Sequence, residues 1–201
     1  MAFSPDRHTL ASGNNDGTVQ LWDVVDRAHP RPLGQPLTGS VAVDSAVESV
    51  AFSPDGHTLT DGDNDGTVRL WNVADPALPR LLGQPLTGSG ASVDSVAISA
   101  DGRTLASGDD VGTIRLWNIT DPANPRSLGQ PLTGDGTPVD SVAISADGHT
   151  LASGSNDGAV RLWNLNVQYA IDRICATAGG LTLQQWNEYI PQLRYEPSCV
   201  H

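Results

Sequence analysis

From Ser141 to Asn164 the chain reads S-V-A-I-S-A-D-G-H-T-L-A-S-G-S-N-D-G-A-V-R-L-W-N. The same pattern stands at three earlier places, each closing on a tryptophan, so that Trp22, Trp71, Trp117 and Trp163 follow one another at spacings of 49, 46 and 46 residues. A period of about 40 to 50 residues with strand-like content marks a stack of small sheets, in which each unit buries its apolar face only against its neighbours. The 201 residues therefore read as one cooperative array.

Each unit begins with an apolar strand, Val-Ala-Phe-Ser or Val-Ala-Ile-Ser, closed by Pro-Asp-Gly or Ala-Asp-Gly. Glycine supplies the positive φ that a tight hairpin needs after Asp, which makes Gly56, Gly102 and Gly148 turn residues. A second hairpin turns at Asp16-Gly17, Asp65-Gly66 and Asp157-Gly158 and enters the strand that ends in tryptophan. Period-two alternation puts Val68, Leu70 and Asn72 on one side of that strand and Arg69 with Trp71 on the other, and both sides are expected to be covered by neighbouring sheets. A fourth strand is expected at 31–39, 80–88 and 126–134; Pro36, Pro85 and Pro131 inside it remove ladder donors and assign it to the sheet edge.

The unit resembles a WD40 repeat, with the closing Trp-Asp kept at Trp22-Asp23 and changed to Trp-Asn in the other three copies. The resemblance covers residues 1–165 and implies an all-β propeller of about four blades, an open arc or partial ring, with blades at 1–39, 47–88, 93–134 and 139–165. It also implies a structural network joining a His of a Gly-His pair, an Asp of the second hairpin turn, a Ser or Thr, and the Trp. Here the Asp is kept at Asp16, Asp65 and Asp157 and becomes Val111 in the third copy. The Ser is kept at Ser12, Ser107 and Ser153 and becomes Asp61 in the second. The histidine is replaced throughout, with Ser40, Ser89 and Asp135 near its place, so the family's network is expected to be incomplete.

Residues 166–201 break the repeat. Ala170, Ile171, Ile174 and Cys175 fall at helical spacing before Gly179-Gly180, and Thr182 with Gln185 fits a capping box ahead of Trp186 and Tyr189. A short C-terminal helical hairpin is the expectation, with Cys175 and Cys199 reduced. This tail resembles the ends of WD40 proteins of the actinobacterial type, in which the array commonly follows a signalling NTPase of the STAND class or a protein kinase. Residues 1–6 align with 50–55 in the middle of a strand, which raises the expectation that the natural protein extends upstream.

Charge and motif content narrow the functional classes. Lys and Arg total 11 against 23 Asp and Glu, a formal net charge of −12. Such a surface repels nucleic-acid backbones and anionic lipid. No membrane span and no secretory leader are expected, and the expected location is the cytoplasm. Asp61-Gly-Asp63-Asn-Asp65-Gly66 mimics part of a calcium loop, but Asn72 stands where the bidentate Glu is needed, and the other copies show a hairpin turn at the same place. His8, His57 and His149 lie beside the first turn, expected to face water. Arg69, Arg115 and Arg161, at matching strand positions, are expected to pair with carboxylates. No cofactor or metal is expected and no residue set supports an enzyme. The reading is a protein-interaction scaffold or, alternatively, a sensor segment of a larger bacterial signalling protein. Partner contacts are expected in the connections that differ most between copies, at Ser40, Asp44, Ser89 and Asp135, and the open blade edges invite self-association.

Overall fold

The computed structural model describes residues 1–39, 45–88 and 90–166. Over these residues every regular element is a strand, and the strands assemble into four antiparallel sheets. The first sheet holds β1 (Ala2–Phe3), β2 (Thr9–Gly13), β3 (Thr18–Asp23) and β4 (Arg31–Thr38), in that spatial order. The second repeats it with β5 (Val47–Phe52), β6 (Thr58–Asp63), β7 (Thr67–Asn72) and β8 (Arg80–Thr87). In the third, β9 (Val93–Ile98), β10 (Thr104–Asp109) and β11 (Thr113–Asn118) are followed by an outer strand in two pieces, β12 (Arg126–Ser127) and β13 (Leu132–Thr133). The fourth contains β14 (Val139–Ile144), β15 (Thr150–Ser155) and β16 (Val160–Asn164).

The first hairpin of every blade is tied by the same three bonds. Ser53 Oγ donates to Asp55 Oδ1 at 2.5 Å, Asp55 Oδ1 accepts the His57 amide at 2.9 Å, and Ser53 Oγ accepts the Thr58 amide at 2.9 Å. The Ser-x-Asp triplets at Ser4, Ser99 and Ser145 repeat this knot. It requires a left-handed residue after Asp, and Gly56, Gly102 and Gly148 have φ of 74°, 71° and 72°. The first blade places Arg7 there, at φ 63°, where a side chain costs about 1–2 kcal/mol.

Alternation gives each blade a leading face, toward the preceding blade, and a trailing face, toward the next. One apolar cluster joins the trailing Ala11, Val19 and Leu21 to the leading Val47, Val50, Leu59 and Trp71; a second joins Val68 and Leu70 to Val93, Val96, Leu105 and Trp117. At about 1.5–3 kcal/mol per buried aliphatic or aromatic side chain, these inter-blade layers are the main source of stability. Glycine permits the close approach: a Cβ on Gly62 would lie 2.6 Å from Val93 Cγ1, and one on Gly108 2.5 Å from Val139 Cγ1. Serine adds a polar stitch, because Ser49 Oγ accepts the Val96 amide at 3.1 Å and Ser95 Oγ accepts the Val142 amide at 3.0 Å.

Two expectations need correction. The third outer strand is not continuous over 126–134; between its two pieces the Leu128 amide still reaches the Leu116 carbonyl at 2.8 Å. In the first two blades the outer-strand glycines Gly34 and Gly83 abut the Ala77 and Ala123 carbonyls of the following blade, whereas Gly129 has nothing within 4 Å of its Cβ direction. The expected covering of both sheet faces holds for Val68 and Leu70, 1% and 2% exposed, and fails for their fourth-blade counterparts Val160 and Leu162, 73% and 72% exposed. The expected helical hairpin, with Cys175 and Cys199, lies outside the described residues.

Candidate functional site: an acidic rim above a buried arginine network

At one end of the strands, the second hairpin turns meet the connections between blades. The Asn64 amide donates to the Ala46 carbonyl at 3.0 Å, and the Asp110 amide to the Ser92 carbonyl at 3.0 Å. Gly66 and Gly112 lie directly against the connections at 90–91 and 136–137, too close for a Cβ. The resulting rim carries Asp16, Asp110, Asp135 and Asp157 exposed and Asp65 half-buried. Asp16 Oδ1 accepts the Thr18 hydroxyl at 2.7 Å and the Thr18 amide at 3.1 Å; the hydroxyl first, then the amide, hold its pKa below the ordinary value. Thr137 does the same to Asp135. At Asp65 burial pushes the pKa up, but the opposing interactions, led by the Thr67 hydroxyl and amide, bring the net shift downward.

Of the expected contact residues, Asp135 sits on this rim, while Ser40, Asp44 and Ser89 lie outside the described residues. The third copy, which lost its turn Asp to Val111, recovers the bond from Asp109, whose Oδ1 accepts the Thr113 amide at 2.7 Å.

Beneath the rim the tryptophan indole nitrogens anchor the strands. Trp22 and Trp163 donate to Ser12 and Ser153 at 2.9 and 3.0 Å, and Trp71 donates to Asp61, the serine substitute, at 2.8 Å. Matching arginines lie beside these anchors, against the glycines that close the first three outer strands: Arg69 by Gly39, Arg115 by Gly88 and Arg161 by Gly134. Arg115 Nη1 reaches Asp109 at 3.1 Å. Arg161 donates to Ser155 Oγ at 3.0 Å, to Asp157 at 3.3 Å and to Asp135 on the rim. The first blade has Gln20 instead, bonded to the Leu21 and Leu33 carbonyls.

The second blade is the extreme case. Arg69, 2% exposed, donates to Asp61 at 2.9 Å and to Asp63, so two buried carboxylates share one guanidinium. Burial raises the pKa of Asp61 despite Arg69. Burial first, and the neighbouring Asp61 second, push Asp63 up to about 7, and Asp63 Oδ1 is buried without a hydrogen-bond partner. Two carboxylates of the apparent calcium loop, Asp61 and Asp63, thus point inward onto an arginine, while Asp65 is held on the rim by Thr67. Among the described residues no group of three or more His, Cys, Asp or Glu is placed to hold a metal ion. Asp63 and Asp109 as arginine partners were not singled out from sequence, although their six-residue spacing to Arg69 and Arg115 across an Asp/Val-Gly turn is a readable signal.

At the opposite rim, a cleft of about 170 Å³ between the first two blades is lined by Asp6, Asp55, His57, Phe52 and Pro76, among others. Its carboxylates are engaged in the Ser-x-Asp knots, and His57 Nδ1 stands 3.9 Å from Asp55 with its side chain in water. Ser4 and Thr9 also line it, and the Ser4 hydroxyl is held by Asp6 within the knot. Among the described residues no helix is long and apolar enough to cross a membrane.

Four stacked antiparallel sheets, each carrying one repeat tryptophan on its third strand and connected through loops on one rim, define an array of propeller-type blades. The chain belongs to the WD40 family: the model for the WD domain, G-beta repeat, matches residues 1–23, 33–72, 81–118 and 126–164. A comparison with curated proteins finds no match. WD40 repeats generally mediate protein–protein interaction, and domains built from them are typically non-catalytic scaffolds.

Proposed function

We propose that the chain is a non-enzymatic scaffold whose acidic rim receives a protein segment rich in Arg or Lys. The observation that carries this reading is the charge of the rim: Asp16, Asp110, Asp135 and Asp157 are exposed there, while Arg69 is buried and Arg115 and Arg161 are turned onto carboxylates. Like-signed carboxylates on one edge concentrate a field that steers a basic partner toward it. The loops that carry them can vary without disturbing the strand framework. The same rim would serve equally in a sensor segment of a larger signalling protein, the context that the resemblance of the C-terminal tail favours.

A synthetic Arg-Gly repeat peptide titrated calorimetrically tests the rim. Binding should be salt-dependent and fall at least tenfold in the triple variant Asp16→Asn, Asp110→Asn, Asp135→Asn. A control triple at the opposite rim, Asp26→Asn, Asp75→Asn, Asp121→Asn, should change it little. Equal losses in both triples would reduce the effect to net charge and reject the assignment to this rim.

A further inference from the structure

The terminal units of a stacked array normally carry polar outer faces, because nothing further covers them. Among the described residues the fourth blade is the last, and its trailing face does not follow this rule. Its trailing face keeps interior chemistry: Ala143, Val160 and Leu162 exposed, Gly154 with no neighbour closer than 3.9 Å to its Cβ direction, and Ser141 in the place from which Ser49 and Ser95 each accept an amide of the next blade. This is the trailing half of the joint that the molecule makes between its own blades. The leading half is also on display, on the first blade. There Phe3 is exposed, 63%, beside Met1, on the face that in the second blade buries Val50 against its neighbour. Gln20 replaces the arginine of the other blades, so this face carries no buried charge that a joint would have to neutralise.

We propose that the trailing face of the fourth blade docks onto the leading face of the first blade of a second copy, and reciprocally, giving a two-fold dimer joined by two heterologous blade-to-blade contacts. The partner is argued from continuity with the existing joints. Three times along the chain a trailing face of Val or Ile and Leu with a glycine opening receives a leading face of an identical fold, and the exposed leading face belongs to this same chain. A heterologous contact of this kind closes when the rotation closes and otherwise propagates; reciprocal pairing of two four-blade arcs is the closed case. The contact uses sheet faces and leaves the acidic rim free, so it is independent of the function proposed above.

Light scattering across a concentration series reads the outcome. The full chain, 21.0 kDa, should double its mass at tens of micromolar and return to monomer on dilution. Leu162→Asp and Phe3→Asp should each abolish the dimer, and an equimolar mixture of the two should recover doubled mass, because one intact joint remains between Phe3 of the Leu162→Asp chain and Leu162 of the Phe3→Asp chain. Val25→Asp, at a residue equally exposed but in a loop, should dimerise normally. Far-ultraviolet dichroism checks folding, and the milder pair Val160→Ser with Leu162→Ser serves if the aspartates unfold the blade. A mass of one chain at every concentration, a dimer untouched by both aspartates, or a mixture that stays monomeric would each overturn the proposal.

Discussion

Residues 68–72 and 160–164 are the same five amino acids, Val-Arg-Leu-Trp-Asn, in the same strand of two blades. In the second blade the arginine is 2% exposed and clamps two carboxylates; in the fourth the arginine side chain is 27% exposed and its partners reach the rim. The valine and leucine differ further, from fully buried to largely exposed. Identical local sequence thus gives a third strand in both blades, while the energetic weight of each side chain is set by what packs against it. In a one-dimensional array stability resides in the joints, and the two blades differ in how many joints they make.

The largest consequence is at the arginines. Arg69→Gln leaves Asp61 and Asp63 buried without a cation and is expected to destabilise by about 3–5 kcal/mol in urea unfolding, whereas Arg161→Gln, whose pairs lie nearer solvent, is expected to cost under about 1 kcal/mol. Equal losses would break the comparison. Next are the joint glycines: Gly62→Ala drives a Cβ into Val93 and is expected to cost about 1–3 kcal/mol, while Gly154→Ala meets only ordinary contact and should be close to neutral in the monomer.

The shared guanidinium also makes the second blade sensitive to pH. Asp63 titrates near 7 in the folded chain against an ordinary value of 3.8, so the folded state holds a proton that the unfolded chain has already released. The stability Asp63 contributes is fully present below about pH 4 and is lost as pH rises through 7. Asp63→Asn keeps a neutral side chain throughout. Its advantage over the wild type should widen by on the order of 2 kcal/mol between pH 5 and 8 and stay level above, at about 1.4 kcal/mol per pKa unit. A pH-independent difference would return Asp63 to an ordinary carboxylate. The smallest effect is expected in the first blade, where Arg7→Gly relieves a left-handed arginine and should raise stability by about 1 kcal/mol; a loss would show that the Arg7 side chain makes a compensating contact.

The strands, their order within each blade and the hairpin glycines were legible because they depend on local chemistry: alternation, turn residues and the recurrent tryptophan. The edge position of the proline-bearing strand was legible for the same reason, since a missing amide is a property of the residue itself. What could not be read was what depends on stacking. Val160 and Val68 stand in identical pentapeptides, and what separates them is the outer strand and the following blade that the second has and that, among the described residues, the fourth lacks. The arginine network was half legible: the matching arginines announced carboxylate partners, but Asp63 and Asp109 are brought to them by hairpin pairing, and the load on Asp63 comes from burial. Arg7 was hidden because the knot, set by Ser4, Asp6 and Thr9, imposes a conformation against that residue's own preference. Of the rim residues singled out, Asp135 could be placed, through its bond to Arg161.

The repeated sequence allows the central claim to be tested within one sample. Because residues 68–72 and 160–164 are identical, their amides have closely matched intrinsic exchange rates, and hydrogen–deuterium exchange reads structure alone. In the second blade this strand lies between β6 and β8 with both faces covered; in the fourth it pairs with β15 and its trailing face is open. Exchange at 160–164 should be at least a hundredfold faster than at 68–72 in the dilute chain. Equal protection of the two segments would contradict the claim that the strand and blade packed against each repeat, and not the repeat's own sequence, decide how firmly it is held.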